Sequence, residues 1–324
     1  LITIGTKIDE VRIDGNLQAF RKDLEAFAAL GLEAVEIPVH GVDAIKNGIL
    51  DRIRLQSVLG ILREFDFQYS VHSPNPLNLM DEKDFPKHYS VFQASLEFAG
   101  EIGARALVYH AGRFIPEETF CLPLNPRRDP ERERRLIQQE KEALRNLSEE
   151  FPEVVIAVEN ARPYLFHSPY CYGERIDSLQ DQVREVNRPN LQITLDTGHL
   201  FMSSCFYSFD PAEAARSIED SIVHTHVHDN FGGSIYYNQK IQTHQIPLGK
   251  GDAHMPVGWG AVPFSSILSA YLPAYSGLMI MELRSRYFGN LQESKANMVE
   301  ILNSLSPASG VHPKAAFGSA PPAM

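Results

Sequence analysis

Eight short β-rich runs alternate with longer amphipathic segments along this chain, and no other feature limits its fold so strongly. The runs read LITIGT, LEAVEIPV, FQYSVHSP, RALVYHAG, VVIAVEN, LQITLDTGH, SIVHTHVHD and GLMIMELR. Between them, Leu17, Phe20, Leu24 and Phe27 recur at helical spacing, as do Ile53, Val58, Ile61, Leu62 and Phe65. Further helices are predicted over residues 92–102, over ERERRLIQQEKEALRNLSEEF and over QESKANMVEILNSL. Near-continuous apolar strands separated by helices indicate parallel β-structure covered by helices. Eight such units fit a closed barrel better than an open sheet. An open doubly wound sheet would also predict a GxGxxG turn after the first run, and GTKIDEVRIDG is not one. The expected fold class is α/β, a single (β/α)8 TIM barrel over residues 1–305.

Loop lengths carry a second message. The long irregular stretches RFIPEETFCLPLNPRRDP, ARPYLFHSPYCYGER, LFMSSCFYSFDP and residues 230–260 all follow strands, whereas returns such as LGLEAVE and EIGARAL are tight. Elaboration on one face is how barrels build sites, at the C-terminal ends of their strands. The tail at 306–324, SPASGVHPKAAFGSAPPAM, is Pro-, Ala-, Gly- and Ser-rich and is expected to be disordered.

Composition narrows the partners. A formal net charge of −11, from 30 Lys and Arg against 41 Asp and Glu, argues against nucleic acid across most of the surface. Cys121, Cys171 and Cys205 are odd in number and form no CxxC pair, which points to a reducing compartment, so a cytoplasmic location is expected. Apolar runs such as GLMIMEL are far shorter than the roughly 20 residues that span a bilayer. The chain opens without Met and without a charged-then-apolar leader, although a short leader could precede it. The expected partner is a small molecule, and a homo-oligomer is compatible with this composition.

Ionisable residues stand where the strands end, and burial there is costly unless they are paired or metal-bound. They are His72, His110, Glu159, Asp196 with His199, His226, and Glu282. A lone histidine such as His72 or His110 is more often a hydrogen-bonded core residue than a ligand. A lone carboxylate among VVIAV or GLMIM is harder to explain that way. Four consecutive strands delivering Glu, Asp, His and Glu to one rim suggest an open site for a divalent metal, with Mn, Co and Zn tolerating the imidazole and Mg preferring more oxygen. A Ser or Cys triad has little support, since GxSxG is absent and no cysteine ends a strand. PLGKGD lacks the GxxxxGK[ST] spacing and reads as a turn with Lys250 solvated, and ERERR reads as an exposed helix start.

In order and spacing, VHSP, YHAG, VEN, LDTGH, HVHDN, HQIPLGKGD and MELR resemble the xylose-isomerase-like barrel superfamily, which includes sugar isomerases, ketose epimerases and endonuclease IV. The resemblance spans about residues 1–305. By motif, the single-metal members imply Glu159, Asp196, His226 and Glu282 as ligands, with Glu159 and Glu282 also exchanging the substrate's proton beside a metal-polarised carbonyl. The implied function is a divalent-metal-dependent sugar or sugar-phosphate isomerase or epimerase. His72, His110, His199, His228 and Arg284 are then the expected substrate contacts.

The endonuclease branch implies the alternative, a multinuclear-zinc phosphoesterase. Its additional metal positions match His72, His110 and His199, with His244 just ahead of PLGKG as the fourth candidate. The aspartate expected two residues before His244 is Gln242, which leaves two metals easier to build than three. Tyr236, Tyr237 and Lys240 are candidates for substrate contact or a lid, and Trp259 for packing the seventh loop onto the barrel. For His224, His226 and His228, strand alternation sends all three inward, and the family pattern His-x-x-Asp selects His226. His224 then falls one layer deeper as a core residue, with His228 at the mouth.

Overall fold

The computed structural model describes residues 2–122, 129–239 and 241–305. Eight parallel strands close into a barrel: β1 (Thr3–Lys7), β2 (Ala34–Pro38), β3 (Gln68–His72), β4 (Leu107–His110), β5 (Ile156–Glu159), β6 (Leu191–Asp196), β7 (Ile222–Val227) and β8 (Leu278–Met281). Each strand pairs with its neighbours in sequence. β8 returns to β1 with Thr3 opposite Leu278 and Thr6 opposite Met281. Gly5 permits the close approach of β1 to β2, because a Cβ there would lie 2.4 Å from the Ala34 carbonyl oxygen.

Helices cover the outside with the predicted stripes. Leu17–Ala29 buries Phe20, Leu24 and Phe27, and Asn16 starts it by accepting from the Gln18 and Ala19 amides. Arg52–Leu62 buries Leu55, Val58, Leu59, Ile61 and Leu62, whereas Ile53 faces solvent at 83% exposure. Phe92, fully buried, stacks on Tyr109 of β4 with ring centroids 4.8 Å apart, and burying such a ring contributes about 1.5–3 kcal/mol. Its helix, Phe85–Glu101, begins seven residues before the predicted 92, because Pro86 suits a first helical turn, where no intrahelical amide donor is needed.

Inside the barrel, Ala34, Leu278 and Ile280 form a small apolar cluster, two of them at the N-terminal ends of their strands. Two residues on from Ala34, the inward face turns polar at Glu36, and β7 adds His224 and His226. The charged layer therefore sits on an apolar floor and opens toward the long loops. Among the described residues, no helix is long and apolar enough to cross a membrane. Lys240 and the tail at 306–324 lie outside the described residues.

Candidate metal centre

Three groups of side chains meet at the C-terminal ends of β3 to β8 at spacings that suit a divalent ion. Ligands bonded to one ion at about 2.0–2.2 Å stand roughly 3.0–3.6 Å apart. In the first group, Glu159 Oε2 lies 3.3 Å from His110 Nε2 and 3.6 Å from His72 Nε2. In the central group, His226 Nδ1 lies 3.3 Å from Glu159 Oε1, 3.5 Å from Glu282 Oε2 and 3.9 Å from Asp196 Oδ2. In the third, Asp252 Oδ2 lies 3.0 Å from His254 Nε2 and 3.4 Å from His199 Nε2, while Asp252 Oδ1 is 3.7 Å from His228 Nε2. His72 Nε2, Glu159 Oε2 and Asp252 Oδ1 are buried without a hydrogen-bond partner. Buried polar atoms are rarely left so, and ions bound in the first and third groups would satisfy all three.

Three of the histidines and one carboxylate are aimed by the backbone. His72 Nδ1 bonds to the Ser73 carbonyl at 2.7 Å, His199 Nδ1 to the Asn160 carbonyl at 3.0 Å, and His254 Nδ1 to the Glu282 carbonyl at 2.8 Å. Each anchor fixes the ring and leaves Nε2 for the site. Asp196 ends β6 and caps the helix Thr197–Tyr207: its Oδ1 accepts from the His199 amide at 2.7 Å, so Oδ2 faces the ligands. Asn160, beside Glu159, holds the Asp196 backbone from both sides, accepting from its N–H at 2.8 Å and donating to its C=O at 3.0 Å.

Asp252 and His254 arrive from a long loop, and Asp229 is what returns it. Buried at the end of β7, its carboxylate accepts from the amides of Asn230, Gly258, Gly260 and Val262. Gly198 is required for a different reason: a Cβ there would lie 2.2 Å from the His228 ring, which rests against the start of its helix. Gly198→Ala should therefore displace the buried His228, weakening divalent-ion binding in the third group and lowering stability by about 1–3 kcal/mol, as overpacking a site does. Equilibrium dialysis against zinc and thermal melting measure the two effects. Unaltered binding would mean that His228 plays no part there.

The electrostatics match a cation site. Burial alone would raise the Glu159 carboxyl, yet His226 and His110 hold it well below its ordinary range. The same opposition holds Glu282 down through Lys7, His226 and His254, and Asp252 down through His254, His199 and Arg162. Burial would lower His199, but Asp196 and Asp252 push it up to about 10. His226 is likewise raised by Glu36, Glu159 and Glu282 against its burial. His72 moves the other way, lowered by burial and by Lys7. Lys7, despite burial, stays protonated beside Glu282, Glu10 and Glu36, and its Nζ lies 2.5 Å from Glu282 Oε1.

A cavity of about 690 Å3 opens above these groups. Its wall includes His110, His199, His254 and Glu282, together with Lys7, Arg113, Arg162, Arg284, Tyr164 and Tyr237. Of the expected substrate contacts, His110, His199 and Arg284 thus reach the cavity. His72 and His228 do not: both are fully buried below it, His228 at 3.1 Å from Asp196 Oδ2 rather than at an open mouth. His244 is a second correction. It is exposed and belongs to none of the ligand groups, and His254 supplies the expected histidine instead, with Asp252 two residues before it. His224 is the deep core residue expected, bonded to Glu36 at 2.8 Å. Trp259 packs the seventh loop outward, its Nε1 donating to Glu293 of the last helix. The sequence reading missed Glu36, Lys7, Asp252 and His254. The signal for the last two was an Asp-x-His ahead of PVGWG.

Comparison with known proteins agrees with the fold. The family described as xylose isomerase-like TIM barrel matches residues 24–306. An uncharacterized protein of Methanocaldococcus jannaschii, MJ1614, is 26% identical over 278 residues, covering 83% of this chain and 92% of its own. Among solved structures, a D-tagatose 3-epimerase-like protein superposes with a TM-score of 0.68 at 20% identity, covering 94% of this chain and 98% of that one. An L-ribulose 3-epimerase gives 0.67 at 11% identity, covering 94% and 96%. The TTHB071 protein of Thermus thermophilus, studied after soaking with ZnCl2, gives 0.59 at 19% identity, covering 94% and 97%. These structural likenesses establish a shared architecture. With the family match spanning most of the chain and the closed eight-stranded barrel beneath it, the chain belongs to the xylose isomerase-like TIM barrel family.

Proposed function

We propose that this protein is a multinuclear metal-dependent hydrolase of small phosphoesters. One observation carries the reading: both oxygens of Glu159 are committed to ligand groups, Oε2 to His72 and His110 and Oε1 to His226. A carboxylate so placed could hold an ion on each side, which would leave it less free to take a proton from a sugar carbon. Glu282 is similarly occupied, Oε1 by Lys7 and Oε2 beside His226 and His254. Divalent ions held here would supply Lewis-acid activation of water and neutralise charge at phosphorus. Lys7 holds Glu282 in place, and Arg113 and Arg284 bring to the cavity guanidinium groups suited to phosphate oxygens, whereas Arg162 is paired with Asp252 at 3.1 Å. The formal net charge of −11 and a cavity of about 690 Å3 favour a small ester over duplex nucleic acid.

A second reading, a sugar isomerase or epimerase using one ion, is supported by the four-ligand group Glu159, Asp196, His226 and Glu282 and by a fold shared with sugar epimerases. Metal content separates the two. Two or three ions per chain, a lower content in His110→Ala, and release of p-nitrophenol from nitrophenyl phosphoesters are expected. One ion per chain, an unchanged content in His110→Ala, and solvent deuterium entering a ketose carbon would sink the hydrolase reading in favour of the second.

A further inference from the structure

His226 is anchored unlike the other histidines. His72, His199 and His254 each rest Nδ1 on a backbone carbonyl and turn Nε2 to the site. His226 is reversed, with Nδ1 facing Glu159, Glu282 and Asp196 and Nε2 lying 2.9 Å from Glu36 Oε1. Glu36, on β2, is fully buried and contacts Ser70, His224 and His226. Its Oε2 accepts from Ser70 Oγ at 2.9 Å and lies 2.8 Å from His224 Nε2. Glu36 Oε1 and His226 Nε2 are both buried without a hydrogen bond, and their 2.9 Å approach is an ion-pair contact.

Glu36, His224 and His226 could be taken for a fourth ion site, since their donor atoms cluster. Spacing argues otherwise. The nitrogen-to-oxygen distances there are 2.8 Å, in the hydrogen bond with His224, and 2.9 Å, in the ion pair with His226, closer than the 3.3–3.9 Å that His226 Nδ1 keeps from the carboxylates above it. The imidazole therefore has a proton side below and an ion side above. We propose that Glu36 is the positioning residue for His226, holding its proton on Nε2 so that Nδ1 is the ligand atom, and that Glu36 binds no ion itself. A buried carboxylate behind a metal-binding histidine fixes both tautomer and ring angle and makes the ligand more basic. Ser70 and His224 occupy the other Glu36 oxygen and so keep Oε1 turned to His226. The inference rests on the central ligand group, which both functional readings share.

The test uses the full chain and zinc or cobalt alone. Glu36→Gln retains the side-chain shape and should keep the fold by circular dichroism, while zinc affinity, by competition with a chromophoric chelator, falls about 10- to 100-fold. The visible absorption of the cobalt-loaded protein should shift as well. Glu36→Asp, which keeps the charge, should recover part of the affinity. Unchanged affinity and spectrum in Glu36→Gln would overturn the proposal. Should that variant not fold, nitrogen-15 histidine spectra of the zinc-loaded wild type still decide it. A proton on His226 Nε2 supports the assignment, and a proton on Nδ1 overturns it. If the wild type binds no zinc, the central metal group itself fails and the inference falls with it, an outcome distinct from a variant that binds as tightly as wild type.

Discussion

Glu159→Gln protein is expected to fold, to lose the ions of both the first and the central group, and to turn over phosphoesters on the order of 10^3-fold or more slowly. The magnitude follows because an ion at phosphorus contributes several kcal/mol and each 1.4 kcal/mol is a factor of ten. The breadth of the loss follows from geometry. An amide matches the carboxylate in volume but has one neutral oxygen, so it cannot bridge His72 and His110 on one side and His226 on the other. The barrel should survive because His226 retains Glu36 and Glu282 as counter-charges and the surrounding core is untouched. Elemental analysis, circular dichroism and a nitrophenyl phosphoester assay together check this. A Glu159→Gln protein with the full wild-type metal content would remove the bridging role.

Metal affinity should rise steeply with pH, by about tenfold per pH unit for each proton displaced. In the ion-free protein His199 is pushed up to about 10, and His226 and His228 are also raised, by neighbouring carboxylates acting against burial. His199 therefore holds a proton at neutral pH, and a ligand nitrogen must release its proton to bind. His72, lowered by burial and by Lys7, contributes less to the slope. Ion-free stability should run oppositely. His199 has a folded value raised above its ordinary 6.5, so its contribution is complete below that and is lost as pH climbs toward about 10. Zinc titrations by calorimetry in buffers of different ionisation enthalpy, from about pH 6 to about pH 8, read the released protons directly. A pH-independent affinity would show that the raised histidines are not ligands.

What could be read from the sequence divides at particular residues. Strand alternation and apolar runs sufficed for the barrel, because a residue's face depends only on local period. Strand-end position sufficed to bring Glu159, Asp196, His226 and Glu282 together, since every parallel strand of a barrel ends on the same rim. The same rule, applied to AVEIP and TIGTK, would have flagged Glu36 and Lys7. It was less informative there, because those ends offered no family motif.

The loop after β7 was beyond such reasoning. PLGKGD placed the expected histidine at His244, yet the carboxylate of Asp229 folds the loop so that Asp252 and His254 reach the site ten residues later. His228 was legible as inward-facing but not as buried, because the His254 ring of that same loop stacks on it at 3.8 Å. The chain's local periodicity by itself determined the barrel and the rim on which its ionisable residues meet. Only the tertiary structure decided how many ligand groups form and which nitrogen of each histidine faces them, because both depend on a loop's return path and on contacts such as Glu36 with His226, 190 residues apart (226 − 36).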